Sequence, residues 1–402
     1  MLKTDILIIG CGIIGLSIAR ELHHRHPDDL KIILLEKEKM LACHASGRNS
    51  GVLHAGFYYT PDSLKARLTA MGNKLITDYC FESGLAINRC GKVVVAKDEA
   101  ELNTLYELKA RGNKNGVVLY LVDEKELQDI EPNARTFHKA LFSPNTSTIN
   151  PKELVNHIAG RLEEQKNVQV LLNQEFIGLS NPSTVQTKSE KIHFDYLINA
   201  SGLYTDKVAQ RFGAGSKFSL LPFKGIYLAY SNNSIISKHI YPVPDLKNPF
   251  LGVHFTITVD GKVKIGPTAI PALWRENYQG LANFKLREFL EVITSEARLF
   301  YSNNFGFRSI ALEEMKKYVK RYLIQKASLL VKHIDVSGFK NYLEPGIRAQ
   351  LFDREKMELV MDFVIEHKDN STHILNAVSP ALTCAFSFSQ YVVDEIEERL
   401  IG

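Results

Sequence analysis

The tightest constraint on this chain lies at its start. Ile6-Leu7-Ile8-Ile9 runs directly into Gly10-Cys11-Gly12-Ile13-Ile14-Gly15, and a second apolar run, Ile32-Ile33-Leu34-Leu35, ends on Glu36. Strand, glycine turn, helix, strand and acid in that order make a βαβ dinucleotide-binding unit. Gly10 allows the tight turn, Gly12 lets a pyrophosphate approach the backbone, and Gly15 lets helix and strand pack closely. The helix that begins at Ile13 offers its unpaired amides and its dipole to negative charge. Its apolar positions Ile14, Ile18 and Leu22 fall on one face. Glu36 stands 21 residues beyond Gly15, where an acid accepts hydrogen bonds from a ribose. An adenine dinucleotide is the expected ligand.

A chain of 402 residues implies more than one domain, and 49 basic against 45 acidic residues give no nucleic-acid signature. Five cysteines without a CxxC spacing point to neither a disulfide framework nor a metal site, and fit a reducing compartment. No apolar stretch approaches the ~20 residues that span a bilayer, and the nucleotide motif begins almost at Met1. A soluble or peripheral, cytoplasmic protein is expected. Glu313 to Val331 reads as one basic amphipathic helix, either docked on anionic lipid of the inner membrane or packed in a domain with one solvated face. His23-His24-Arg25-His26 offers metal-type ligands, but cations at a helix C-terminus are favourable in themselves.

Further along, Asn150-Pro151-Lys152-Glu153 carries the signals of a helix start, and Val168 to Leu172 reads as a strand. A strand at Tyr196-Leu197-Ile198-Asn199 meets the small-residue turn Ala200-Ser201-Gly202, with a helix from about Asp206 to Phe212. Nucleotide-type elements so far from the first βαβ unit indicate a flavin-binding fold of interleaved segments. Two β-like runs, Val253 to Val259 and Lys262 to Ile265, are joined by an Asp260-Gly261 turn. The expected class is α/β: a Rossmann-like FAD-binding domain from 1–80, 150–220 and 340–402, interleaved with an α+β substrate domain from 81–149 and 221–339.

The run from His44 through Ala45-Ser46-Gly47-Arg48-Asn49-Ser50-Gly51 to His54, Gly56 and Tyr59 resembles the L-2-hydroxyglutarate oxidase/dehydrogenase family. That family belongs to the FAD-dependent, D-amino-acid-oxidase-like superfamily. The match continues through Ser63-Leu64-Lys65-Ala66, Tyr241 to Asp245, Pro249 to Thr256, Gly266-Pro267, Gly346-Ile347-Arg348-Ala349-Gln350 and Ser379-Pro380. It departs at Arg48, where His is usual, at Lys224 and Ile226, where Arg and Glu are usual, and at Ala381, where Gly is usual.

The resemblance implies noncovalent FAD and oxidation of the C2 alcohol of L-2-hydroxyglutarate to 2-oxoglutarate, with hydride transfer to flavin N5 and oxygen or a quinone as final acceptor. It implies cofactor contacts from Gly10, Gly12, Ile13, Ile14, Gly15, Glu36, Lys37, Ser46, Arg48, Asn49, Ser50, Gly51 and Phe176. It extends them to Ala200, Ser201, Gly202, Gly346, Pro380, Ala381, Leu382 and Thr383. A helix beginning near Ala381 would aim its N-terminus at charge on the reduced ring. A base for the hydroxyl proton needs a pKa near neutrality, and His54 and His254 are the candidates. His254 and Thr256 share one strand face. Arg348 suits a carboxylate through its planar fork, with Lys224 and Lys65 as weaker candidates for the distal carboxylate; Tyr58 and Tyr59 either donate hydrogen bonds or pack. Two other readings stand beside this one: an amine or amino-acid oxidase of the same superfamily, and a nucleotide-binding protein without catalysis.

Overall fold

The computed structural model describes residues 1–232, 235–246 and 250–401. Pro249, in one of the motif blocks, lies outside them. The chain forms two compact units, one of Met1–Asn49, Pro151–Leu221 and Ala349–Gly402, the other of Ser50–Asn150 and Pro222–Arg348. Residues 50–80 and 340–348, expected with the nucleotide segments, cluster in the second unit. The cause is pairing over long sequence distances. Val52–Leu53 pairs with Ser147–Ile149, and Phe57 and Tyr58 pack with Leu105, Leu141 and Tyr241.

In the first unit the strand Leu2–Ile9 lies parallel to both Ile32–Leu35 and Lys191–Asn199. Val168–Leu171 adds beyond Ile32–Leu35, and Ser371–Asn376 pairs with the end of Lys191–Asn199. Parallel strands are covered on both faces, which is why Leu7, Ile8, Ile33, Leu34, Leu197 and Ile198 are all fully buried. Burying each such side chain contributes roughly 1.5–3 kcal/mol. The helix Ile13–Arg25 follows the glycine turn. At its C-terminus Arg25 pairs with Glu21, Asp394 and Glu397, and His26 Nε2 lies 2.8 Å from Glu397. Arg25 and His26 of the basic cluster are thus tied to carboxylates at the helix end.

The second unit is built on an eight-stranded sheet in which the order Val263–Gly266, His254–Ile257, His239–Pro242, Lys92–Val95, Lys139–Ser143 places residues distant in sequence side by side. One face, with Val93, Val95, Ile240, Phe255, Ile257, Val263 and Ile265, is apolar core. The opposite face is buried too and mixed: Val94, Ala96 and Leu141 join a second apolar cluster there, beside Lys92, His239, His254, Thr256 and Lys264.

Glu313 to Val331 is not one helix. Phe307–Lys316 ends where Lys317 turns inward onto Glu314, both side chains buried. Val319 is extended, and a second helix, Lys320–Ser328, sets Leu323, Ile324 and Ala327 into the core. Burying those three and pairing Lys317 outweighs helix continuity. No described helix is long and apolar enough to cross a membrane.

Candidate active site

In the first unit the glycine turn is held on every side. Gly10 has φ +105°, donates its N–H to Leu35 O at 2.8 Å, and leaves only 2.5 Å between an added Cβ and Ala200 O. Ala200 N–H in turn donates to Ile9 O at 2.9 Å, so the second small-residue turn abuts the first. Ser46, 33 residues from the helix start, accepts the N–H of Ile13 at 2.9 Å. That leaves the other first-turn amides, which have no intrahelical partner by geometry, for a ligand. The Glu36 carboxylate is oriented by Cys11 N–H at 3.3 Å and Glu38 N–H at 3.0 Å. Gln174 N–H donates to Glu36 O at 2.7 Å and returns the chain ahead of Phe176 to this end of the sheet. Lys37 lies over the Tyr204 ring, Arg48 donates to Cys43 O, and Asn49 to Ala45 O and Ser46 O. Ser201 Oγ donates to Asn199 at 2.6 Å, just ahead of Gly202. Pro380 precedes the helix Ala381–Ile401, whose first turn contains Leu382 and the buried Thr383. A cradle open only where side chains are missing, with free amides and an oriented acid, fits the pyrophosphate and ribose of a dinucleotide.

Ser50, Gly51 and Gly346, expected beside these residues, belong to the second unit, as do His54, His254 and Arg348. The mixed face of its sheet has a definite register. Lys92 lies opposite His239 on one side and Ser143 on the other. Ile240 faces Phe255, so the adjacent residues Tyr241 and His254 also meet, their rings stacked at 3.6 Å. Thr256 is opposite Lys264. Lys92, His239, Tyr241, His254, Thr256 and Lys264 are all buried.

Hydrogen bonds fix the state of two histidines. His239 Nδ1 accepts the N–H of Ile257 at 3.1 Å, so its proton is on Nε2, 3.0 Å from Thr148 Oγ1. Thr148 donates onward to Ile257 O at 2.8 Å. His239 is therefore neutral and structural, in line with burial pushing its pKa down to about 3. His254 is the mirror case. Its Nδ1 donates to Gly252 O at 2.9 Å, which leaves the lone pair on Nε2. Burial holds His254 well below the ordinary histidine range and brings His54 to about 3.

Arg348, third in the strand Gly346–Asp353, lies 5.4 Å from the Phe250 ring, and burial lowers its pKa only to about 10, so it stays charged. Lys224 lines an open cavity of about 420 Å³ with Ile226, Tyr278, Tyr318 and Tyr342, and burial lowers its pKa. Lys65 is buried 5.9 Å from the Tyr59 ring. Sequence reasoning missed Lys92, His239 and Tyr241. Their signal was a lysine opening an all-buried strand, Lys92-Val93-Val94-Val95, and polar residues at alternate positions 239 and 241.

A family model described as "FAD dependent oxidoreductase" matches residues 5–394. The chain belongs to the FAD dependent oxidoreductase family. It is a flavoenzyme with a D-amino-acid-oxidase-like fold. Bovine mitochondrial L-2-hydroxyglutarate dehydrogenase is 35% identical over 98% of this chain and 89% of its own length. L-2-hydroxyglutarate dehydrogenase from Escherichia coli K12 is 34% identical over 98% of this chain and 94% of its own. Among solved structures, FAD-bound L-α-glycerophosphate oxidase from Mycoplasma pneumoniae superposes with a TM-score of 0.79 at 23% identity, covering 99% of this chain and 95% of the other. Glycine oxidase from Geobacillus kaustophilus does so at 0.70 and 16%, covering 99% and 95%. These two likenesses bear on the fold alone.

Proposed function

We propose that this enzyme oxidises the C2 alcohol of L-2-hydroxyglutarate to the ketone of 2-oxoglutarate. Relatives carrying that activity in their names align over nearly the whole chain. The observation that carries the reading is the buried imidazole of His254, with Nδ1 anchored and Nε2 left to accept a proton. Oxidation of C2 removes a hydride and the hydroxyl proton, and the C–O bond becomes C=O. FAD, when bound, supplies the two-electron acceptor for that hydride. Gly10, Gly12, Ile13, Ile14, Gly15, Glu36 and Ser46 would hold its dinucleotide half, with Ala200, Ser201 and the start of the last helix beside them. His254 or His54 takes the proton. Arg348 pairs with one carboxylate, and Lys224 with the other.

A dry, cationic site suits a dianion. Without substrate the imidazoles stay neutral; two carboxylates beside them favour imidazolium and raise their pKa towards the working pH. The sign is testable. Folded-state values near 3 for His54, and lower than ordinary for His254, keep the base unprotonated throughout the physiological range. The second-order rate of flavin reduction, which reports the free enzyme, should therefore show no acid limb between about pH 5 and 7. A limb near the ordinary histidine value would place the base elsewhere.

The test of the activity is anaerobic titration with a panel of 2-hydroxy and 2-amino acids while the flavin band is followed. L-2-hydroxyglutarate should bleach it; bleaching by amino acids alone would overturn the reading. Arg348→Ala should raise KM roughly 100-fold, for a charged bidentate contact of about 3 kcal/mol, with FAD content unchanged. Equal losses of substrate and cofactor would remove Arg348 from carboxylate binding.

Reoxidation by oxygen or by a membrane quinone completes the cycle. Contact with a membrane surface is supported by the helices Leu286–Ser302 and Phe307–Lys316. They expose Leu286, Leu290, Tyr301, Leu312 and Met315, beside the exposed Arg287 and Lys316, which pair with Glu291 and Glu313. The five cysteines form no disulfide among the described residues, which fits the reducing cytoplasm. Vesicles containing anionic lipid should sediment the protein at low salt and release it at high salt. No sedimentation, or none that Leu290→Asp and Leu312→Asp reduce, would remove the membrane as partner.

A further inference from the structure

Lys92 is the most anomalous side chain in the second unit. It opens the strand Lys92–Val95 with no exposed surface, and among the described residues no acceptor reaches its Nζ. Three aromatic rings surround it instead: Phe57 at 4.6 Å, Tyr58 at 4.5 Å and Tyr241 at 4.7 Å. An amine buried without an acceptor costs several kcal/mol, and a methionine of similar length would fill the space without that cost. The cage is what favours the charged form: π faces attract a desolvated cation. Burial alone brings the amine down to about 7.

The surroundings decide what such a charge does. His239 and Ser143 flank Lys92 on the neighbouring strands. Tyr58 and Tyr241 lie against Nζ as rings, burial keeps both phenols protonated, and Cys90 precedes it on its own segment with a thiol raised to about 11. His54 follows Val52–Leu53, and His254, Thr256 and Lys264 continue the same face. No carboxylate is among these groups. Lys264 is half-relieved through Ser50 O at 3.3 Å and the Tyr227 ring at 4.8 Å. The Tyr241 ring that lies 4.7 Å from Nζ stacks on His254 at 3.6 Å, which brings the ammonium group within one ring of that imidazole. Burial is the larger cause of the low basicity of His54, His239 and His254, and among the described cations Lys92 adds to it at all three, because like charge disfavours protonation.

We propose that Lys92 is a positioning residue for the reaction: its ammonium group, caged by Phe57, Tyr58 and Tyr241, holds the imidazoles of His54 and His254 in the neutral form that accepts a proton. This rests on the reading of those histidines as proton acceptors, and it explains why an unpaired cation is kept where an apolar side chain would pack at lower cost.

The experiment compares purified FAD-loaded wild type with Lys92→Met, Lys92→Gln and Lys92→Arg. Long-range ¹H–¹⁵N spectra of ¹⁵N-histidine protein report imidazole protonation with no substrate present. In Lys92→Met and Lys92→Gln the protonated-to-neutral ratio of His54 and His254 at about pH 5 should rise about tenfold, one pKa unit. The acid limb of flavin reduction, which lies below about pH 5 in wild type, should move up by the same amount, with KM little changed. Lys92→Arg, which keeps the charge, should return both towards wild type. Melting temperatures of the neutral variants at or above wild type would show that the fold holds. Identical imidazole titrations in wild type and whichever neutral variant folds would overturn the proposal. If the titrations shift while no hydroxy acid bleaches the flavin, the assigned activity fails and the role of Lys92 stands. If bleaching occurs while the titrations coincide, the reverse holds.

Discussion

Gly15→Ala is expected to yield a colourless protein. A Cβ at this position would stand 2.0 Å from the carbonyl oxygen of Gly10 and 3.3 Å from Ile8 Cγ2. The first is a backbone atom, and it is pinned, because Gly10 N–H is committed to Leu35 O and an added Cβ on Gly10 itself would already strike Ala200. Relief requires the helix to move away from the strand, which opens the turn that presents the amides. Overpacking of this kind costs about 3 kcal/mol, and spent on the binding geometry it weakens FAD by about 100-fold or more. The control is Gly160→Ala in the helix Pro151–Glu163, where nothing lies within 4 Å of the added Cβ. That change should stabilise by roughly 0.5–1 kcal/mol through lost backbone entropy. FAD content measured after gel filtration separates the two, and a fully yellow Gly15→Ala protein would mean that this turn does not bind the cofactor.

The legible part of this protein is the part whose chemistry is local. Gly10, Gly12, Gly15 and Glu36 sit within one βαβ unit, so their spacing alone carries the geometry, and the turn at Ala200 was legible for the same reason. What was not legible is cooperation between strands. The mixed face of the second unit takes Lys92 from one segment, His239 and Tyr241 from another nearly 150 residues on, and His254 and Thr256 from a third. Each looks ordinary in its own strand. Only the register shows that alternate positions on three neighbouring strands point polar groups to one buried side while Val93, Ile240 and Phe255 point to the other. Ser46 is a case between these: its motif was visible, but that its hydroxyl accepts the helix's first N–H depends on a return of the chain across 33 residues. The helix expected at 313–331 failed for a different reason. Periodicity cannot register that Val319 goes extended so that a second helix can set Leu323, Ile324 and Ala327 into the core, with Lys317 turned inward onto Glu314 just before the break.

The second large effect is expected at His254. Replacing it with alanine should leave the protein yellow, because no part of the first unit's glycine turn changes, and should slow flavin reduction by about 10²–10⁴-fold, the usual contribution of a positioned general base. The argument is one of tautomers rather than proximity alone. Gly252, at φ +74°, turns its carbonyl onto His254 Nδ1, so the proton sits there and Nε2 is left as acceptor. The Tyr241 ring stacked at 3.6 Å keeps the imidazole from rotating out of that state. His239, on the neighbouring strand and the same face, has its acceptor nitrogen occupied by Ile257 N–H and cannot take the role. His254→Gln tests this directly. An amide retains volume and hydrogen bonding but has no basic nitrogen, so it should bind hydroxy acid with a KM near wild type while the rate stays as low as in alanine. Recovery of the rate by glutamine would show that His254 holds the substrate and that His54 receives the proton. In that case the loss of rate should appear instead in His54→Ala, again with FAD retained.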